Sequence, residues 1–286
     1  MKERLNQLKT KDLKNILYGL IVPVMFLILW GVLSNKIGNE VILPKISSVL
    51  NNFAHATQDF IGLGSLPTNI FVSLIRVVLG YTAGVFLAIP LGLLMGYKNK
   101  IYGLFNTFIN IFRPIPPLAW VPLVLAWFGV SSFATILNLP GGQMQAFLNN
   151  FKFSMVFIIG LGTFFPVLTN TVFAVRTVPQ TLIESAKVLG ASEKDIFLKI
   201  LLPASAPTII TGLRTGLGIA WSCLVSAEML PGSLSGVGYL ITHAYELGRT
   251  DLVITGVACI GLIGASLDYI YRVIEKRYFS WQNKIR

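Results

Sequence analysis

The sequence predicts an all-α membrane protein with about six transmembrane helices, and three observations carry that prediction. Hydrophobic residues fill 54% of the 286 positions and charged residues only 12%, about half the charged share of a soluble domain. Mean hydropathy is +0.71, and several apolar runs reach the ~18 residues that a bilayer crossing needs. Those runs are continuous rather than alternating, which selects helices over a membrane barrel.

The first run, about 16–34, comes after the basic opening MKERLNQLKTKDLKN. It exceeds the length of a signal-peptide core and no A-x-A site comes after it, so it reads as a retained first span. The second run covers about 71–96. The third, about 102–128, contains Arg113 and prolines at 114, 116, 117 and 122, which forbid a regular helix. The remaining runs are about 153–175, 212–231 and 252–272. Each can cross a hydrocarbon core of ~30 Å at ~1.5 Å per residue. Gly80 and Gly84, Gly92 and Gly96, and Gly212 and Gly216 are spaced four apart, which suits close helix packing. Residues 1–70 read as a leading segment with the first helix and an outer loop. Residues 71–286 read as the core.

The net charge is +11. Its distribution points to membrane orientation rather than nucleic acid. Seventeen Lys and Arg fall in residues 1–15, the 97–101 loop, the 176–214 loop and the tail from Arg272, against four (Lys36, Lys45, Lys152, Arg249) on the other side. Both termini are therefore expected in the cytoplasm. Cys223 and Cys259 lie inside apolar runs, and His55 and His243 stand alone, so neither a disulfide framework nor a metal site is expected.

The cytoplasmic loop is hydrophilic and locally structured. Residues 181–189 suit a helix with Leu182, Ala186 and Leu189 on one face. Gly190 supplies a left-handed C-cap. Ser192 can cap a second helix, with Asp195 three residues on, and Pro203 and Pro207 are expected to stop or kink that helix. The apolar residues are too few for a core of their own. Either they pack under the membrane domain or they await a partner.

The segment ESAKVLGASEKDIFLKILLPASAP, beginning at Glu184, resembles the EAA signature of ABC importer permeases, with Ser185 where alanine is usual. The stretches RPIPPLAWVPLVLAWFG (113–129), FFPVLTNTV (164–172), ITGLRTGLGIAW (210–221) and SAEML (226–230) resemble permeases of the nitrate/sulfonate/taurine group. The similarity runs from about Leu43 to Trp281. It implies a type I importer permease fold in the cell membrane. It also implies that the loop near 176–212 is a coupling helix docked on a cytoplasmic ATPase, with Glu184, Ser185, Ala186, Leu189, Gly190, Ala191, Ser192 and Phe197 at or near the contact. Further implied partners are a second permease copy in a homodimer and an extracytoplasmic substrate-binding protein. The implied substrate is a small, anionic solute such as nitrate, a sulfonate, taurine or bicarbonate.

One departure from that group is an insertion near 131–150, which carries the turn Pro140-Gly141-Gly142. It reads as a cap, a binding-protein contact or a tolerated surface addition. Ionisable residues within spans are functional candidates, and Arg76, Arg113 and Glu228 are the pathway candidates. Glu228 either lines the pathway or pairs with a buried cation. Arg113 either meets an anionic substrate or braces the bundle. Arg76 has snorkelling as its plainer reading, and Asp268 has Arg272 within helical reach. No phosphate-binding G-x-x-x-x-G-K-[ST] loop occurs, so ATP is expected on the partner and no cofactor on this chain. A secondary transporter working without an ATPase is the alternative, but it usually shows inverted repeats and none is visible. A membrane enzyme would need a catalytic constellation, and none is present in the sequence.

Overall fold

The computed structural model describes residues 2–129, 131–138, 140–229 and 232–278, with side chains from Tyr18 onward except those of Lys276 and Tyr278. The elements in order are α1 (Lys2–Ile37), α2 (Ile46–Ala54), α3 (Leu66–Tyr97), α4 (Asn99–Phe112), a 3₁₀ turn at Pro117–Trp120, α5 (Val121–Phe128), α6 (Phe133–Ile136), α7 (Gln143–Leu148), α8 (Phe153–Arg176), α9 (Gln180–Val188), α10 (Glu193–Asp195), a π-helical turn at Ile196–Leu201, α11 (Leu202–Glu228), α12 (Val237–Glu246) and α13 (Thr250–Tyr278). Among the described residues the β pairing is a single antiparallel bridge between Ser132 and Lys152.

Five helices are long and apolar enough to cross a membrane, or six if α4 and the 3₁₀–α5 segment form one broken span bent by 87°. The break falls at residues 113–116, where the prolines remove backbone donors and clash with the preceding turn. α8 is the hub, with α3 and α11 packed along it. Half of its apolar window is buried, against 6% for α1, so α1 lies at the rim. Trp30 Nε1 donates to Pro44 O at 3.0 Å and Ser34 Oγ to Leu43 O at 3.2 Å, tying down the end of α1.

The paired glycines lie where α3 and α11 meet α8. A Cβ at any of the six would come within 2.7 Å of an α8 atom. Close backbone approach, the usual role of small residues between membrane helices, is thus realised here. Val77, Ile159, Leu217, Ala220, Trp221 and Leu224 fill the space between the three helices.

The fifth span starts well before the expected residue 212. The helix runs continuously from Glu193 to Glu228, and Pro203 and Pro207 do not stop it. Pro203 sits in the first turn of α11, just after the π turn. That wider turn relieves the clash a proline ring makes with the carbonyl four residues back. Sequence reasoning also missed the short helices α2 and α12, which pack on α13.

Candidate functional site

The corner between α9 and α10 is built by local signals. Gly190 has φ +81°, a conformation that a Cβ disfavours. Its N–H donates to Lys187 O at 3.0 Å and the Ala191 N–H to Ala186 O at 3.0 Å, the paired bonds of a Schellman ending. Ser192 Oγ accepts from Asp195 N at 3.2 Å and donates to Asp195 Oδ2 at 2.6 Å. Lys187 reaches Glu193 across the corner at 3.3 Å, and Lys199 reaches Asp195 at 2.6 Å.

The corner is fastened to the bundle. Ala186, Ile196 and Leu201 are buried with Val175 at the end of α8, and Ala191 and Phe197 pack against them. The Phe197 ring lies 5.7 Å from Tyr97 at the end of α3, and the Tyr97 hydroxyl donates to Glu193. Glu184, Ser185, Gly190 and Ser192 stay exposed. Val188 and Leu189 are 88% and 86% exposed. The face read as Leu182–Ala186–Leu189 is therefore split. Ala186 points inward, while Leu182 and Leu189 are exposed, Leu189 lying just past the helix end at Val188. Beside the corner lies a recess of about 540 Å³ lined in part by Lys98, Arg176, Gln180 and Lys187.

At the opposite end of α3 and α11 the charges are enclosed. Arg76 and Glu228 form an ion pair at 2.6 Å with both side chains 0% exposed. Ser73 Oγ lies 2.7 and 2.9 Å from the two carboxylate oxygens, and the Gly238 N–H donates at 2.9 Å. Arg76 also donates to Asn150 O at 2.9 Å and Ser235 O at 2.7 Å. Gly236 has φ +107°, and a Cβ there would collide with the Glu228 carboxylate and stand 2.6 Å from Arg76 Nη1. Snorkelling of Arg76 is thus overturned, and Glu228 takes its buried-cation reading. Sequence reasoning missed Ser73, Asn150, Ser235 and Gly236. The available signal was Asn69, Ser73 and Arg76 at i, i+4, i+7 on an apolar helix.

The insertion divides into two parts. Ile136, Leu137, Met144 and Phe147 are exposed, while Ser132, Phe151 and Lys152 are buried. The root belongs to the same enclosed network: Asn150 meets Arg76 and Ser235, and Lys152 donates to Gly232 O. Burial lowers the pKa of Lys152, with the neighbouring Arg76 charge acting in the same direction. The root is therefore not a detachable surface addition.

Arg113, at the break in the third span, is exposed and lines a separate cleft of about 260 Å³ between α4 and α8. Asp268 does meet Arg272, at 2.8 Å, but also Arg214, at 2.5 Å. No group of three His, Cys, Asp or Glu side chains among the described residues could hold a metal ion.

A helical bundle around a hub helix, with an exposed corner at one end and a broken span beside it, is the architecture of a polytopic membrane protein. The chain belongs to the family described as binding-protein-dependent transport system inner membrane component, whose sequence profile matches residues 80–280. It is an ABC importer permease of the nitrate/sulfonate/taurine group, a multi-pass protein of the cell membrane. It is 46% identical over 273 residues to a Methanocaldococcus jannaschii protein provisionally named an ABC transporter permease, covering 96% of this chain and 95% of that one. It is 31% identical over 267 residues to the taurine transport system permease protein TauC of Escherichia coli, covering 93% and 89%. The fold resembles a chain of the MetNI methionine ABC transporter in inward-facing conformations, with a TM-score of 0.58 at 17% identity, covering 74% of this chain and 95% of that one.

Proposed function

We propose that this permease carries a small anionic solute inward and is driven by a cytoplasmic ATPase docked on the α9–α10 corner. The observation that carries the reading is the two-sidedness of that corner. Its inner side is packed against α3 and α8, while Val188, Leu189 and Glu184 face outward. Large exposed apolar side chains beside a fixed charge suit a partner surface. A push on the corner would travel through rigid packing into α11, since α10, the π turn and α11 are one continuous helix. An anionic or sulfonate-bearing substrate is supported by the nitrate and taurine permeases among the relatives and by Arg113 facing open volume. Arg76 and Glu228, enclosed by each other, are not offered as pathway residues. The remaining parts of the proposal are both termini in the cytoplasm, ATP held by the partner, a homodimer, and delivery of solute by an extracytoplasmic binding protein.

The test is reconstitution in liposomes with a cognate ATPase and binding protein. Two permease copies should copurify with two ATPase subunits, and labelled taurine or nitrate should accumulate only with ATP. Uptake at full rate by the permease alone would overturn the reading in favour of a secondary transporter.

A further inference from the structure

α4 is largely apolar, and most of its polar groups fall on one stripe, with Lys100 and Thr107 lying off it. Tyr102, Asn106, Asn110 and Arg113 succeed one another at spacings of four, four and three, which places them on one helical face. All four line the 260 Å³ cleft against α8, and Arg176 closes its far end. Arg176 is held there by Asn99 at 2.9 Å and by the face of Tyr102, 3.9 Å from its ring centre. The same Arg176 lines the recess beside the α9–α10 corner, so it stands between the two cavities.

The chemistry of the lining is one-sided. Two guanidinium groups stand at the ends and two carboxamides between them, and no described lining residue is acidic. Among the described residues, the side chains of Asn106, Asn110 and Arg113 have no hydrogen-bond or ion-pair partner within the chain. An arginine at membrane depth is costly without a partner, and two adjacent amides add four free N–H donors. Guanidinium groups match planar or tetrahedral oxyanions through paired N–H bonds. The cleft volume falls just below the range of ~300–1,000 Å³ typical of drug-sized ligand pockets, which suits a small solute.

We propose that this cleft is an oxyanion station on the cytoplasmic half of the transport route. Asn106, Asn110 and Arg113 would bind a sulfonate or nitrate-like group, and Arg176 would mark its exit toward the cytoplasmic recess. The proposal rests on the anionic substrate proposed above and adds the site and its residues.

The experiment uses the complete complex in liposomes, with labelled taurine and nitrate as probes and Arg113→Gln, Arg113→Lys and the double variant Asn106→Leu/Asn110→Leu. Assembly with the ATPase serves as the folding control. The station predicts that Arg113→Gln and the double variant raise the KM for uptake about tenfold or more, the size expected for losing a charge-assisted hydrogen bond. Uptake per ATP should fall, and Arg113→Lys should recover part of the loss. Wild-type KM in both the Arg113→Gln and the double variant would overturn the station. So would separation of the permease copies in Arg113→Gln, which would make Arg113 a brace. ATP-driven uptake only of solutes that lack a sulfonate, nitrate or other oxyanion group would remove the station and the anionic substrate together but leave the permease standing. Uptake without ATP would overturn the ATPase-driven reading itself.

Discussion

Two ion pairs in this protein share an N···O separation of 2.6 Å. Arg76–Glu228 joins α3 to α11 with both side chains wholly enclosed, whereas Lys199–Asp195 lies on the corner with side chains 76% and 42% exposed. The enclosed pair is surrounded by donors and acceptors fixed by other elements, namely Ser73, Gly238, Asn150 and Ser235. The exposed pair is one turn of one helix, open to water and to any partner. Distance alone therefore does not rank them. Enclosure makes the first part of the framework, and exposure leaves the second to the surface proposed to meet the ATPase.

The sharpest way to break this contrast is Glu228→Gln. The substitution keeps the shape and removes the charge, leaving the Arg76 guanidinium buried without a counter-charge. Breaking one side of a buried pair costs about 3–5 kcal/mol, so melting temperature and membrane yield should both fall steeply. Arg76→Met with Glu228→Met should recover part of the loss, because no uncompensated charge remains. Transport per folded molecule should change little in Glu228→Gln. Normal stability with abolished uptake would instead make the pair part of the transport route and erase the distinction between the two pairs.

The enclosed pair also shows where the sequence stops being legible. Glu228 and Arg76 stand out locally as charges within apolar runs, but they are 152 positions apart, and pairing over that distance is decided by packing. Gly190 and Ser192 are readable because caps act within a few residues. The broken span is readable because proline acts on its own turn. The continuity of α10 through α11 is not, since a π turn that accommodates Pro203 leaves no clear local mark. Nor is the insertion's root, whose buried residues are secured by contacts with α3 and the 232–236 loop. The split of Ala186 inward from Leu189 outward turns on where α9 ends, a boundary one residue earlier than the periodicity suggests.

A smaller effect on stability but a large one on coupling is expected at the corner. Gly190→Val puts a branched side chain on a residue at φ +81°, at a cost of roughly 1–2 kcal/mol. It should displace α10 relative to α9 while leaving the bundle folded. Glu184→Lys reverses an exposed charge on the proposed docking side and touches no span. Both variants should insert and dimerise normally, yet lose ATPase association or ATP-driven uptake, read by pull-down and transport in one preparation. Full ATPase binding and full uptake in both would reduce the corner to a solvated loop.

The smallest expected effect is Lys199→Ala, and it sharpens the comparison most directly because it removes the exposed twin of the enclosed pair. Aspartate four residues before lysine is the favourable order on a helix, yet pairs this exposed gain little, since water and salt screen them. The cap on this turn survives the change, because Ser192 Oγ still accepts from Asp195 N. The packing beneath it also survives, because Ile196 and Leu201 make the buried contacts and Lys199 points away. Melting temperature should therefore match the parent at low and high salt, and uptake should be unchanged. A fall in stability like that of Glu228→Gln would show that exposure is a poor guide to what an ion pair does in this fold. Unchanged stability with weakened ATPase binding would make Lys199 a contact residue, and would carry the docking surface past α10 toward α11.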